Sequence, residues 1–207
     1  MTFQISRNFI TKIDKLQKNM IKSGLIKKTP LEFNERLSQK YKSSIYLKRE
    51  DLQTVRSFKI RGAYSKISNL SNIEEIVCAS AGNHAQGVAY LCNKMNIKGT
   101  IFIPETTPLQ KISRIKYFAG QSCNLRITGN IFSDTLSDSL KYSIQNQYTF
   151  VHPYDDIEVI EGQSTIASEI YQELKPDFIL SSVGGGGLIS GLSLYSKKKK
   201  ELSNYRC

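Results

Sequence analysis

No stretch of this chain approaches the ~20 consecutive apolar residues that a membrane-spanning helix requires. The opening residues, MTFQISRNFITKI, hold neither a continuous apolar block nor a small-residue cleavage site. Neither a bilayer span nor a secretory leader is expected. Cysteine is scarce and scattered: Cys78, Cys92, Cys123 and Cys207 show no C-x-x-C spacing and no metal-ligand grouping. They read as free thiols of a reducing cytoplasm, with no metal site. Acidic side chains are outnumbered 18 to 29, leaving a formal net charge of +11. That excess sits at the two ends. Residues 1–28 carry seven basic side chains against Asp14, and residues 197–207 carry five against Glu201. The long stretch between is almost neutral, and no aromatics interleave with the terminal lysines, so no nucleic-acid-binding surface is expected. What the chain does have is 40% hydrophobic residues over 207 positions. That supports one good core, or two small ones sharing an interface, and excludes a disordered chain.

Strand and helix signals alternate along most of the length. Residues 12–23 place Ile13, Leu16, Met20 and Ile21 at helical spacing, and Thr29-Pro30 stops that helix. A short strand over 44–48 leads through a polar segment to Ser57, an N-cap candidate for a helix reaching Asn69. Strands are expected at 76–79, 100–103, 125–128, 149–151 and 178–182. Helices are expected at 83–95, 133–146 and from Asp155 or Asp156 to Leu174, with another opened by Thr107-Pro108, proline at its first position, and running to Phe118. Short strands each followed by a helix describe a parallel α/β protein with helices on both faces. A last helix begins near Leu188. The pattern then stops, leaving a basic tail and an unpaired sheet edge.

Three motifs fall at strand ends, where open α/β sheets gather ligands. In Ser57-Phe58-Lys59-Ile60-Arg61-Gly62-Ala63, Lys59 lies in the first helical turn beside Arg56 and Arg61. Like charge and the positive helix end lower an ammonium pKa and make an amine nucleophile that forms a Schiff base with an aldehyde. In Ser80-Ala81-Gly82-Asn83-His84-Ala85-Gln86-Gly87, small residues let backbone amides converge on an anion such as a carboxylate. His84 has no partner there that would make it a base and reads as structural, or as lending its amide. In Ser182-Val183-Gly184-Gly185-Gly186-Gly187-Leu188, four successive glycines imply that something approaches the backbone closely, as a phosphate would. Neither a dinucleotide fingerprint nor a Walker loop is present. An amine nucleophile, a carboxylate cradle and a phosphate cup together describe pyridoxal phosphate with an amino-acid substrate, without naming that cofactor uniquely.

These motifs, with Leu47-Lys48-Arg49-Glu50-Asp51 and weaker echoes at Pro153-Tyr154-Asp155 and Ile160-Glu161-Gly162-Gln163-Ser164-Thr165, closely resemble the threonine dehydratase (threonine deaminase) family of fold-type-II pyridoxal-phosphate enzymes. The resemblance runs from Ile10 to Ser196. It implies two open, mostly parallel α/β domains of the tryptophan-synthase-β-like kind. The larger, incomplete one comprises 1–51 and 151–196, the smaller 52–150, and a non-family basic tail 197–207. It implies that Lys59 forms the Schiff base with pyridoxal 5'-phosphate and Phe58 lies beside the ring. Asn83 would bond the ring's 3-hydroxyl, while Gly184, Gly185, Gly186, Gly187 and the amide of Leu188 hold the phosphate. Ser80, Gly82, Asn83 and His84 would line the substrate-carboxylate loop. The implied reaction converts L-threonine to 2-oxobutanoate and ammonia, or L-serine to pyruvate, in a cytoplasmic homo-oligomer. A serine dehydratase or serine racemase shares the fold and similar loops, and a non-catalytic remnant is a further alternative.

The sequence departs from the family after Tyr195, where relatives supply further strands, a partner for the pyridine nitrogen and, in biosynthetic members, a regulatory domain that senses isoleucine. A lysine run followed by unrelated sequence is what a reading-frame slip in an adenine-rich tract would produce. Ser164 stands where many relatives have glycine. A large domain short of strands exposes apolar surface, so the chain alone is expected to be poorly soluble and weakly active.

Overall fold

The computed structural model describes residues 8–71 and 74–204, the last four by backbone alone. Helix α1 (Phe9–Lys22) buries Phe9, Ile13 and Met20 along one face. Strands β1 (Leu31–Phe33) and β2 (Tyr46–Lys48) form an antiparallel pair, Leu31 opposite Lys48 and Phe33 opposite Tyr46. Between them lies α2 (Glu35–Tyr41), capped by Asn34, whose side chain accepts from the Leu37 amide at 2.9 Å. A 3-10 turn, Glu50–Leu52, leads to α3 (Lys59–Ser68). Ser57 is not the cap residue, which is Phe58, but its hydroxyl accepts from the Lys59 amide at 3.3 Å.

The central sheet follows: β3 (Ile76–Ala79), α4 (Asn83–Met95), β4 (Gly99–Ile103), α5 (Leu109–Ala119), β5 (Cys123–Ile127), α6 (Phe132–Asn146) and β6 (Thr149–Phe150). All four strands run parallel in the order β5-β4-β3-β6. Because successive side chains alternate across a strand, β3 sends Ile76 and Cys78 to one face and Val77 and Ala79 to the other. Ile101 and Ile103 of β4 join the first face, covered by α3, α4 and α5 through Ile60, Leu91 and Ile115. Phe102 joins the second, covered by Leu136 and Tyr142 of α6. Helices on both faces are thus found as expected. Pro108 is the residue before α5 rather than its first: its backbone is still extended (ψ 142°), and the Thr107 hydroxyl donates to the Pro104 carbonyl at 2.6 Å.

Helix α7 (Ile157–Glu173) begins at Asp156, whose carboxylate accepts from the amides of Glu158 and Val159 at 2.8 and 3.3 Å. Its residues 161–170 are all buried, and it packs on α3 and on α8 (Gly187–Asn204). The α3–α7 crossing is closer than any side chain allows. A methyl on Gly162 would stand 2.4 Å from the Arg61 carbonyl and 2.6 Å from the Gly62 Cα. At α1, α7 and α8 a second cluster forms from Ile13, Ile166 and Leu192, and Asp14 accepts from both Ser168 and Tyr195 hydroxyls at 2.6 Å.

Two expectations fail here. Residues 178–182 are not a strand. The chain between α7 and α8 finds no strand partner among the described residues, and Phe178 and Leu180 stand 87% and 96% exposed. A strand is defined by its neighbour's hydrogen bonds, which apolar composition alone does not supply. The lysine run does not hang off a finished helix either: α8 continues through it to Asn204, since Lys, Glu and Leu are good helix formers. Among the described residues no helix is long and apolar enough to cross a membrane.

Candidate functional site

Lys59 opens α3, and its side chain turns inward. Its ammonium donates to the Pro153 carbonyl at 2.7 Å and sits 5.5 Å from the centre of the Phe58 ring and 6.0 Å from that of Tyr154. Its pKa is lowered, as the sequence predicts, but the cause is different. Burial disfavours the charged amine. Arg61 does not contribute, because its guanidinium points away and is neutralised by Glu50 and Glu169.

Facing Lys59 is the turn before α8. A cavity of about 210 Å³ is lined by Phe58, Lys59, Tyr154, Ser182, Gly184, Gly185, Gly186, Gly187, Leu188 and Ile189. Gly186 adopts φ +90°, a left-handed conformation that favours glycine. A methyl on Gly185 would fall 2.3 Å from the Tyr154 ring, so the loop and the ring are pressed together. Wider grooves of about 480 and 500 Å³ lie beside α6 and at Glu74–Glu75, and neither is lined by a residue of the three motifs.

The 80–87 motif bridges β3 and α4. The Ser80 hydroxyl accepts from the Gly82 amide at 3.1 Å. His84 is 2% exposed, and its Nε2–H donates to the Val151 carbonyl at 2.9 Å. Burial pushes its pKa down to about 4, so the ring is neutral at pH 7, and Nδ1 has no hydrogen-bond partner among the described residues. His84 is therefore tied through its ring to the segment after β6. Asn83 is exposed at the start of α4, and none of Ser80, Gly82, Asn83 and His84 lines the Lys59 cavity. The motif still bears on the lysine: a methyl on Gly87 would sit 3.3 Å from the Ile60 backbone, so α4 rests directly against the turn that carries Lys59.

Sequence reasoning missed the ionic anchor beneath the site. Arg61, fully buried, donates through Nε and Nη2 to both Glu50 oxygens at 2.8 Å, and through Nη1 and Nη2 to Glu169 at 2.8 and 3.1 Å. Lys48 adds a bond to Glu169 at 2.6 Å, and Thr29 one to Glu50 at 2.6 Å. The carboxylates surrounding Arg61 offset the large cost of burying its charge. Lys48 and Glu50 belong to the Leu47–Asp51 motif, which was a signal without a chemistry. Glu169 gave none. Tyr154 and Pro153 were visible only as a weak echo.

Known proteins resemble this chain over most of its length. The profile of the pyridoxal-phosphate dependent enzyme family matches residues 22–205. A biosynthetic L-threonine dehydratase IlvA of Staphylococcus epidermidis is 49% identical over 182 residues, covering 84% of this chain and 43% of the relative. The corresponding Staphylococcus aureus protein is 47% identical over 181 residues, with the same coverage. The chain thus spans less than half the length of these relatives. Among solved structures, the processed form of threonine deaminase isoform 2 from Solanum lycopersicum matches with TM-score 0.82 and 34% identity, over 96% of this chain and 55% of that one. Maize serine racemase matches with TM-score 0.84 and 26% identity, over 93% and 58%.

Proposed function

The chain belongs to the pyridoxal-phosphate-dependent enzymes, and from that premise we propose that it is part of an ammonia-lyase that converts L-threonine to 2-oxobutanoate and ammonia. One observation carries the reading: a buried amine of lowered pKa, that of Lys59, shares a small cavity with four consecutive glycines. The residues fit the cofactor. A neutral amine is the form that reacts with an aldehyde. The glycine turn presents backbone without side chains at the start of α8, where a phosphate is favoured. Phe58 and Tyr154 supply apolar walls.

Within this reading, pyridoxal phosphate supplies an electron sink for the pair left when the substrate loses its α-proton. The chain's own groups do the rest. Lys59 Nζ, held by the Pro153 carbonyl, accepts that proton, and burial keeps a larger share of the amine unprotonated. Gly184, Gly185, Gly186, Gly187 and the Leu188 amide, which line the same cavity, would hold the phosphate. Phe58, in the cavity wall, would flank the ring, and Asn83, which lies outside that cavity, would serve its hydroxyl only as the family resemblance implies. Ser80, Gly82, Asn83 and His84 take the substrate carboxylate on their loop, with His84 fixed by Val151 so that it contributes through its backbone. The domain division follows the same reading. Residues 52–150 form the smaller unit, and 1–51 with 151–196 contribute to the larger.

The 47–49% identity to threonine dehydratases supports threonine as substrate over serine. The test is keto-acid release by the cofactor-supplied protein with L-threonine and L-serine, using K59A as the blank. Faster 2-oxobutanoate formation that K59A abolishes is expected. Faster turnover of serine, or its racemisation, would favour the serine-directed relatives instead.

A further inference from the structure

The peptide after β6 carries the carbonyl that holds the Lys59 amine, and a side chain outside all three motifs shapes that peptide. His152 Nδ1 accepts from the Asp155 amide at 2.7 Å and from the Tyr154 amide at 3.3 Å. A ring nitrogen taking two amides, two and three residues ahead, closes a turn much as an Asn or Asp side chain does. The imidazole also packs edge-on against Tyr154 at 4.7 Å and against Phe150 at 6.1 Å, so it cannot swing freely. Inside that turn, proline fixes the backbone at 153, and its carbonyl meets Lys59 Nζ at 2.7 Å. The next residue, Tyr154, lays its ring on Gly185 and its backbone on Gly187. Asp156 then caps α7, so the turn is anchored at both ends.

We infer that His152 is a positioning residue for the site: its unprotonated Nδ1 closes the 152–155 turn, which in turn holds Lys59 through the Pro153 carbonyl and backs the glycine loop with the Tyr154 ring. The inference rests on the reading of Lys59 as the reacting amine. It makes the turn sensitive to acid, because a proton on Nδ1 replaces the acceptor with a third donor. The charged and titratable groups around His152 are Asp155, Asp156 and Tyr154 on its own segment, Lys59 from α3 and His84 from α4. Burial and Lys59 oppose protonation, while the two carboxylates favour it.

The test uses the full chain without added cofactor, as wild type, H152A and H152N. Asparagine can accept the same two amides. Amide hydrogen exchange, corrected for intrinsic rates, is read at Tyr154 and Asp155, with Val77 and Ile101 of the buried sheet as the folding control. Trace acetylation reads the reactivity of Lys59 relative to Lys48 and Lys66. In H152A, exchange at Tyr154 and Asp155 is expected to quicken about tenfold, with sheet amides unchanged and Lys59 several-fold more reactive. H152N should restore both, and wild type should move toward the H152A behaviour as acid protonates His152. Unchanged exchange in H152A, or faster exchange with no change at Lys59, would overturn the inference. If H152A loses the sheet protection, H152N and the wild-type pH series decide by the same criteria. Cofactor capture at Lys59 in wild type is a separate measurement, so failure of the cofactor reading is distinguishable from failure of this one.

Discussion

Two apolar segments of the chain, residues 76–79 and 178–183, behave differently. In the sheet, Ile76, Val77, Cys78 and Ala79 are wholly inaccessible, clasped between β4 and β6 and covered above and below by helices. Between α7 and α8, Phe178, Leu180 and Val183 are largely exposed, although the flanking helices are themselves well packed with α1 through Ile13, Ile166 and Tyr195. The contrast teaches that apolar sequence makes a strand only where a neighbour completes its hydrogen bonds. It also shows where the site draws its rigidity. Lys59 stands on a helix pinned between α4 and α7, whereas the glycine loop facing it is reached through the exposed segment.

The Arg61 network ties α3 to α7 and to Glu50, and breaking it should have the largest effect. E169A leaves a buried guanidinium with one of its two carboxylate partners, and Lys48 with none of its carboxylate bond. Urea denaturation should show a loss of about 3–5 kcal/mol. A loss below about 1 kcal/mol, within the range of exposed ion pairs, would mean that the anchor carries little. Next comes L91A, which empties a fully buried position beneath the sheet and should cost about 2–5 kcal/mol.

His84 sharpens the comparison through pH. The unfolded imidazole protonates near its ordinary 6.5, the folded one only near 4. Stability is therefore complete above about pH 6.5 and falls as the pH drops toward 4, by about 3 kcal/mol in all. H84N should flatten that slope in denaturation curves taken across the interval. An unaltered slope would assign the acid sensitivity elsewhere. The smallest change is L180A, at a position the fold hardly touches: stability should move by less than about 0.5 kcal/mol, while the paired change F178S/L180S should raise the soluble fraction on expression.

The legible parts of the fold are those with local punctuation. Both β3 and α4 emerge with the boundaries expected, because an apolar run ends at Ser80-Ala81-Gly82 and the helix closes at Asn96 in the left-handed conformation. Strand β4 and helix α6 each begin one residue early. Helix α2 was invisible because it buries no side chain and so writes no periodic stripe. At the site, Lys59 and the glycines could be read from their own chemistry. The Arg61–Glu169 pair could not, since its members lie 108 positions apart. Nor could the role of Pro153 and Tyr154, which depends on a turn closed by His152.

The central claim is that the amine of Lys59 is the group that captures the cofactor aldehyde. The direct measurement is borohydride reduction of the chain mixed with pyridoxal phosphate, followed by peptide mapping of the reduced adduct. The account requires the label to concentrate on the Lys59 peptide, and K59A to lose it without acquiring another principal site. A label spread over the exposed lysines, identical in wild type and K59A, would contradict it.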